Sequence, residues 1–234
     1  MDWLTLARQR RSGHSACYAE IAGSTTAELS VVGTERHLRI IGPIDWFFGI
    51  DAIALSMALL AEPRPAGVSL YIDSPGGDLF DALALRSALD VLAGQGTRVT
   101  TQAGALVASA AVPIYLAGHE RSGFEYSRFM LHSPRAAFYA AGTSDTMTTE
   151  FADFLASLTV ATDVYWDTIQ SHVTASLVHS WRESGQDVWV TATEAVEASI
   201  LSRIGEPEPE PEPEPDSLRA RLIGARIQAT LRGG

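Results

Sequence analysis

An α/β fold with a largely parallel sheet is what this sequence predicts, and three observations predict it. Strand-like apolar runs alternate along the chain with stretches of helical apolar spacing. Glycine or proline closes most of those runs, as expected where one element hands over to the next. The chain has 234 residues, 46% of them hydrophobic, enough for one domain with a sizeable core and appendages.

The elements follow in order. Residues 1–28 form an N-terminal segment with Arg8, Arg10 and Arg11 near its start. "AELSVVG" and "RHLRIIG" are two short strands closed by glycine. "IDAIALSMALLAE" (50–62) has helical apolar spacing and is broken by "PRPAG". "VSLYIDSPGGD" is a buried strand ending in a Pro-Gly-Gly turn, and "LFDALALRSALDVLAGQG" is an amphipathic helix with a glycine stop. "TRVTTQAG" is the next strand. It leads into the apolar run "GALVASAAVPIYLAG" (104–118). Pro113 is tolerated near a helix N-terminus and costly further in, so this helix should begin close to Ser109. "FMLHSP" reads as another strand end. Residues 144–182 form a long, mostly helical stretch with Phe151, Phe154, Leu155, Leu158, Tyr165, Trp166 and Ile169 at helical spacing, suited to core packing or to an oligomer contact. "TATEAVEASILSRIG" closes the folded domain, 29–205, with a short amphipathic helix.

Two appendages follow. "EPEPEPEPEPD" (206–216) is a linker whose prolines and mutually repelling charges favour an extended rod of roughly 3.1 Å per residue. Residues 217–234 place Leu218, Leu222, Ile223, Ile227 and Leu231 near one helical face with four arginines elsewhere. A helix this short does not fold reliably alone. It is expected to dock, either on a surface helix of its own oligomer or on an acidic protein surface.

Composition narrows the chemistry. No apolar run reaches the roughly 18 residues of a membrane span, and "MDWLTLARQRRSGHS" lacks the apolar core of a secretory signal, so a soluble, cytoplasmic chain with no membrane partner is expected. A net charge of −11 argues against nucleic acid as the main partner. Cys17 is the single cysteine, which excludes an internal disulfide and a Cys-based zinc site. All 17 basic residues are arginine, so neither a Ser–Lys dyad nor a Schiff-base lysine is available.

Four stretches hold candidate catalytic groups, each with a structural alternative. Ser109 is either a spacer in a buried helix or a nucleophile where unpaired N–H groups favour negative charge. Gly76 and Gly77 in "SPGGD" either make a common turn or bring bare backbone to a ligand. One N–H from that turn and the N–H of Ala110 could form an oxyanion hole. His132 in "FMLHSP" stands at a strand end, as a core residue or as a general base. Glu183 and Asp187, four apart in "SWRESGQDVWVTATEAVE", are either solvated or one of them fixes the tautomer of His132.

Taken together, "YIDSPGGD", Ser109 in "ASAAVPIYLAG", "SRFMLHSP" and "TATEAVE" resemble the Clp protease proteolytic subunit in order and approximate spacing, over about residues 30–205. The resemblance implies a crotonase-like α/β fold of repeated β-β-α units. Its protruding handle helix, here within 144–182, pairs two heptameric rings. It also implies a serine endopeptidase with no metal or organic cofactor. Ser109 would be the nucleophile, His132 the general base, and Gly77 and Ala110 the oxyanion-hole donors. The acid stays open: counting without gaps from "WVTATEAVE" gives Glu183, and a shift in loop register gives Asp187. Ser199 and Ser202 stand where the family usually has glycine and aspartate. "AELSVVG", "GGDLFDALALRSAL" and "ASAAVPIYLAG" look closer to phage head maturation proteases of this family, which cleave scaffold or capsid protein inside a procapsid. The alternatives are a housekeeping subunit working with an ATP-dependent unfoldase, a crotonase-type acyl-CoA enzyme, and a non-catalytic ring subunit. Polypeptide substrates and a homo-oligomer, as a heptameric ring or double ring, are expected in the peptidase readings.

Overall fold

The computed structural model describes residues 26–45, 49–136 and 144–205. Residues 1–25, the Glu-Pro linker and the arginine-bearing C-terminal helix expected from the sequence lie outside the described residues.

β1 (Thr26–Val32) and β2 (Glu35–Ile41) form an antiparallel hairpin. β3 (Gly67–Ser74), β4 (Arg98–Ala108), β5 (Glu120–Gly123) and β8 (Arg203–Ile204) continue it as parallel neighbours, in the order β1-β2-β3-β4-β5-β8. The expected α/β fold with a largely parallel sheet is the one observed.

Burial alternates along the strands as the pleat requires. In β3, Val68, Leu70, Ile72 and Ser74 are buried, while Ser69, Tyr71 and Asp73 lie on the other face. The buried side chains join one core with Leu55 and Leu59 of α1 (Ala52–Leu60) and Leu85, Leu89 and Leu92 of α2 (Leu79–Gly94). Both helices start on an aspartate. Asp51 accepts from Ala54 N–H at 2.8 Å, and Asp78 accepts from Asp81 N–H at 2.9 Å. Arg36 takes a core position on β2, only 6% exposed. Its guanidinium donates to the carbonyls of Ala58, Leu59, Ala61 and Pro63, satisfying the open C-terminal end of α1.

The strand that positions the site is β4. At 11 residues it is long enough to take two partners in tandem on one edge. Residues 100–102 pair with β5, and residues 106–108 pair in parallel with β6 (Arg128–Leu131). β7 (Val188–Thr191) then runs antiparallel to β6. On its other edge β4 meets β3, with a register shift between Ile72 and Ser74.

Two expectations are refined here. The apolar run 104–118 divides: strand continues to Ala108, and α3 (Ala111–Tyr115) is only five residues long. The tail of β4 packs between β3 and β6, so it reads as apolar as a buried helix would. The stretch 144–182 is two helices, α4 (Ser144–Gln170) and α5 (Ala175–Ser184). Buried Val173 lies at the break between them, and Thr174 caps the second helix. A short α6 (Ala192–Glu197) with a Thr191/Glu194 capping box precedes β8.

Candidate functional site

Ser109 sits in the tight turn between β4 and α3, with φ at +53°. A side chain other than glycine rarely adopts this left-handed backbone, and it persists only where its surroundings enforce it. The surroundings here do so. Ser109 N–H donates to Met130 O at 2.8 Å, which ties the turn to β6, and Val112 N–H donates to Ser109 O at 3.0 Å. Pro113 is the third residue of α3, where its missing N–H would have had no intrahelical partner anyway. The helix starts where the proline implied it should.

Gly76 closes the turn from the β3 side, with φ at +90°. A Cβ there would fall 2.6 Å from Ala108 O, 2.7 Å from Ser109 Cβ and 2.8 Å from Ala110 N. Only glycine lets the two loops approach so closely. Next to it, Gly77 bridges in parallel to Ile44. The bonds of that bridge come from its neighbours, Ile44 N–H to Gly76 O and Asp78 N–H to Ile44 O. Gly77 therefore turns its own N–H away from Ile44. Among the described residues no hydrogen-bond acceptor faces the N–H of Gly77 or of Ala110. Two free donors beside one serine are what an oxyanion site needs.

His132 lies one residue beyond β6, half-buried. Its Nδ1 is 2.7 Å from the Ser133 main-chain oxygen. A carbonyl only accepts, so Nδ1 carries the proton and Nε2 is left with a lone pair, the form a general base requires. Ser133 is held in turn by α4, where the buried Trp166 donates its indole N–H to Ser133 Oγ at 3.0 Å. Tyr165 is packed edge-on against Trp166 with ring centroids 5.2 Å apart. The Tyr165 hydroxyl is buried near the His132 main-chain N–H but makes no hydrogen bond of ordinary geometry, and burial pushes its pKa up.

Gly77, Ser109, Ala110 and His132 line one open cleft of about 300 Å³. They come from three distant parts of the chain, brought together by the β3–β4–β6 arrangement. No hydrogen bond joins the Ser109 hydroxyl to the His132 ring. Phe80 and, from α4, Phe154, Leu158 and Tyr165 line the same cleft.

Both acid candidates are exposed and neither lines the cleft; Glu183 is in the last turn of α5. Asp187 immediately precedes β7. Leu131 pairs with Val188, so continuing that antiparallel ladder by one residue sets His132 across from Asp187. The Asp187 carboxylate is ion-paired with Arg135. Arg135 lines the cleft and was missed by sequence reasoning. It lies 52 residues from its partner, and no local pattern announces such a pairing. Trp166 was seen only as part of an apolar helix face. Among the described residues no group of His, Cys, Asp and Glu converges as a metal site, and no helix is long and apolar enough to cross a membrane.

Comparisons with known proteins bear on this geometry. A family model described as Clp protease matches residues 22–208. The ATP-dependent Clp protease proteolytic subunit of Bacteroides thetaiotaomicron is 27% identical over 139 residues, 58% of this chain and 59% of that protein. Subunit 2 of Treponema pallidum is 29% identical over 175 residues, 73% of this chain and 82% of that protein. Subunit 2 of Thermobifida fusca is 27% identical over 150 residues, 63% and 70% of the two chains. The match to the Bacteroides relative thus spans less than two thirds of that protein's length.

Proposed function

Because the chain belongs to the Clp protease family, we propose that it is a serine endopeptidase subunit whose reaction centres on Ser109 and His132. The observation that carries this reading is the meeting of a strained serine, an imidazole with a free Nε2 and two unengaged main-chain N–H groups in one cleft. Ser109 Oγ attacks the peptide carbonyl while His132 Nε2 takes its proton. The Gly77 and Ala110 N–H groups hold the charge that develops on the carbonyl oxygen. His132 then protonates the leaving amine, and water releases the acyl group by the reverse sequence. Asp187 is the acid in this reading, supported by the β6/β7 pairing, which would set it across from His132 if continued by one residue. Glu183 has no comparable support.

The relatives are named as ATP-dependent proteolytic subunits, which favours partnership with an ATP-driven unfoldase over capsid or scaffold maturation. An oligomer is supported by α4, which leaves Met147, Phe151, Leu155, Val160 and Val164 exposed by 36–56% along its length. Such a run of large apolar side chains suits a contact between copies.

A serine-directed fluorophosphonate is the direct test. The intact chain is expected to be labelled and to cleave an unfolded polypeptide, and Ser109→Ala to do neither. Equal labelling of both proteins would end the reading.

A further inference from the structure

His132 has two candidate acceptors for its Nδ1–H, and only one is engaged. The Ser133 carbonyl takes it at 2.7 Å. Asp187, one residue before the ladder partner of Leu131, is held by Arg135 instead. Arg135 follows His132 by three residues and lines the same cleft. We propose that Arg135 is a positioning residue that keeps the Asp187 carboxylate off His132, so that the triad assembles only when the guanidinium lets go. The inference rests on the reading of Ser109 and His132 as nucleophile and base.

The two orientations differ in what they do for the reaction. A carbonyl fixes the tautomer, but it is neutral and gives little help to the imidazolium that forms when Ser109 loses its proton. A carboxylate does both. The guanidinium competes well for that carboxylate, because it offers several donors in a planar fork where the imidazole offers one. The surroundings decide which partner moves. Ser133 is pinned from α4 by the buried Trp166, so the carbonyl stays in place. The Arg135 and Asp187 side chains are 63% and 39% exposed, so their pair is open to solvent and to an incoming substrate. Ion pairs this exposed bias an equilibrium by only about two- to fivefold. Arg135 is accordingly a restraint on the rate and not an off switch.

The test uses the full chain, reading the second-order rate of fluorophosphonate labelling and kcat for peptide hydrolysis. Arg135→Gln is expected to raise both by about two- to fivefold. Arg135→Lys, which keeps the cation, should stay near the starting rate. Asp187→Asn should lower both by about 10²-fold or more, and Arg135→Gln combined with Asp187→Asn should be as slow as Asp187→Asn alone. All three substitutions lie at solvent-open side chains, and unchanged melting temperatures would confirm that the fold is intact. A rate for Arg135→Gln equal to or below the starting protein overturns the proposal. So does a gain that persists when Asp187 is already asparagine, because the gain would then not act through the carboxylate. An Asp187→Asn variant at full rate also overturns it while leaving the Ser109 reading standing. Labelling of Ser109→Ala marks failure of that underlying reading instead.

Discussion

The two halves of the cleft are built differently. On the nucleophile side, everything is backbone: a φ of +53° at Ser109, a Cβ-free approach at Gly76, and N–H groups aimed by the Gly77 bridge. Ala108 and Ala110, on either side of the serine, are 1% and 2% exposed. On the base side, His132 is half-buried, and its surroundings depend on side chains, Trp166 on Ser133 and Arg135 on Asp187. Backbone held in a core cannot be adjusted without moving the core, whereas a solvent-open ion pair exchanges partners at small cost. The comparison teaches that the geometry around Ser109 is set during folding; in the proposed reaction, the surroundings of His132 are where the rate is open to tuning.

Substitutions on each half should therefore differ in size. The largest effect is expected at Gly76. In Gly76→Ala the added Cβ meets Ala108 O, Ser109 Cβ and Ala110 N, all within 2.8 Å. Displacing the Ala110 donor is comparable to removing an oxyanion-hole N–H, a loss of about 10²–10³ in kcat. Steady-state kinetics on a variant that still melts cooperatively would check this, and a near-normal kcat would show the turn to be softer than described. An intermediate effect is expected on the base side. Trp166→Phe keeps the ring but deletes the N–H that holds Ser133, and should lower kcat by about five- to tenfold. KM should be unchanged, and Ser133→Ala should reproduce the loss. A rise in KM instead would assign Trp166 to substrate binding. Glu183→Gln should have the smallest effect, within about twofold, since Glu183 is exposed on α5 and, unlike Asp187, is not brought toward His132 by the β6/β7 pairing. A large loss in the same peptidase assay would restore Glu183 as the acid.

Much of the backbone geometry around Ser109 was legible in the sequence because its signals are local. Pro113 fixes where α3 can begin, and two adjacent glycines after a strand announce a close backbone approach. The choice between Glu183 and Asp187 was not legible. Counting without gaps pointed to Glu183. The pairing of Leu131 with Val188, far apart in sequence, is what puts Asp187 one residue beyond the ladder's end on the same side as His132. The division of the run 104–118 was hidden for a different reason: a strand end buried between two neighbours and a buried helix have the same composition. Arg36 shows a third kind of blindness. Its position on β2 alternates as a core residue should, yet it is charged, and only the folded C-terminus of α1 together with the loop after it supplies the four carbonyls that make the position tolerable.

The tandem pairing along β4 has one more consequence. Ser109 and His132 are both carried just past the ends of the same three-rung parallel ladder, 106–108 against 128–130. Gly77 arrives separately, past the slipped register at Ile72 and Ser74. Deleting one residue from 103–105 would turn every later side chain of β4 to the opposite face of the sheet and bring Val107 and Ala108 out of the core. Length changes on this stretch are therefore tolerated in twos at best, which holds Ser109 and His132 to one register.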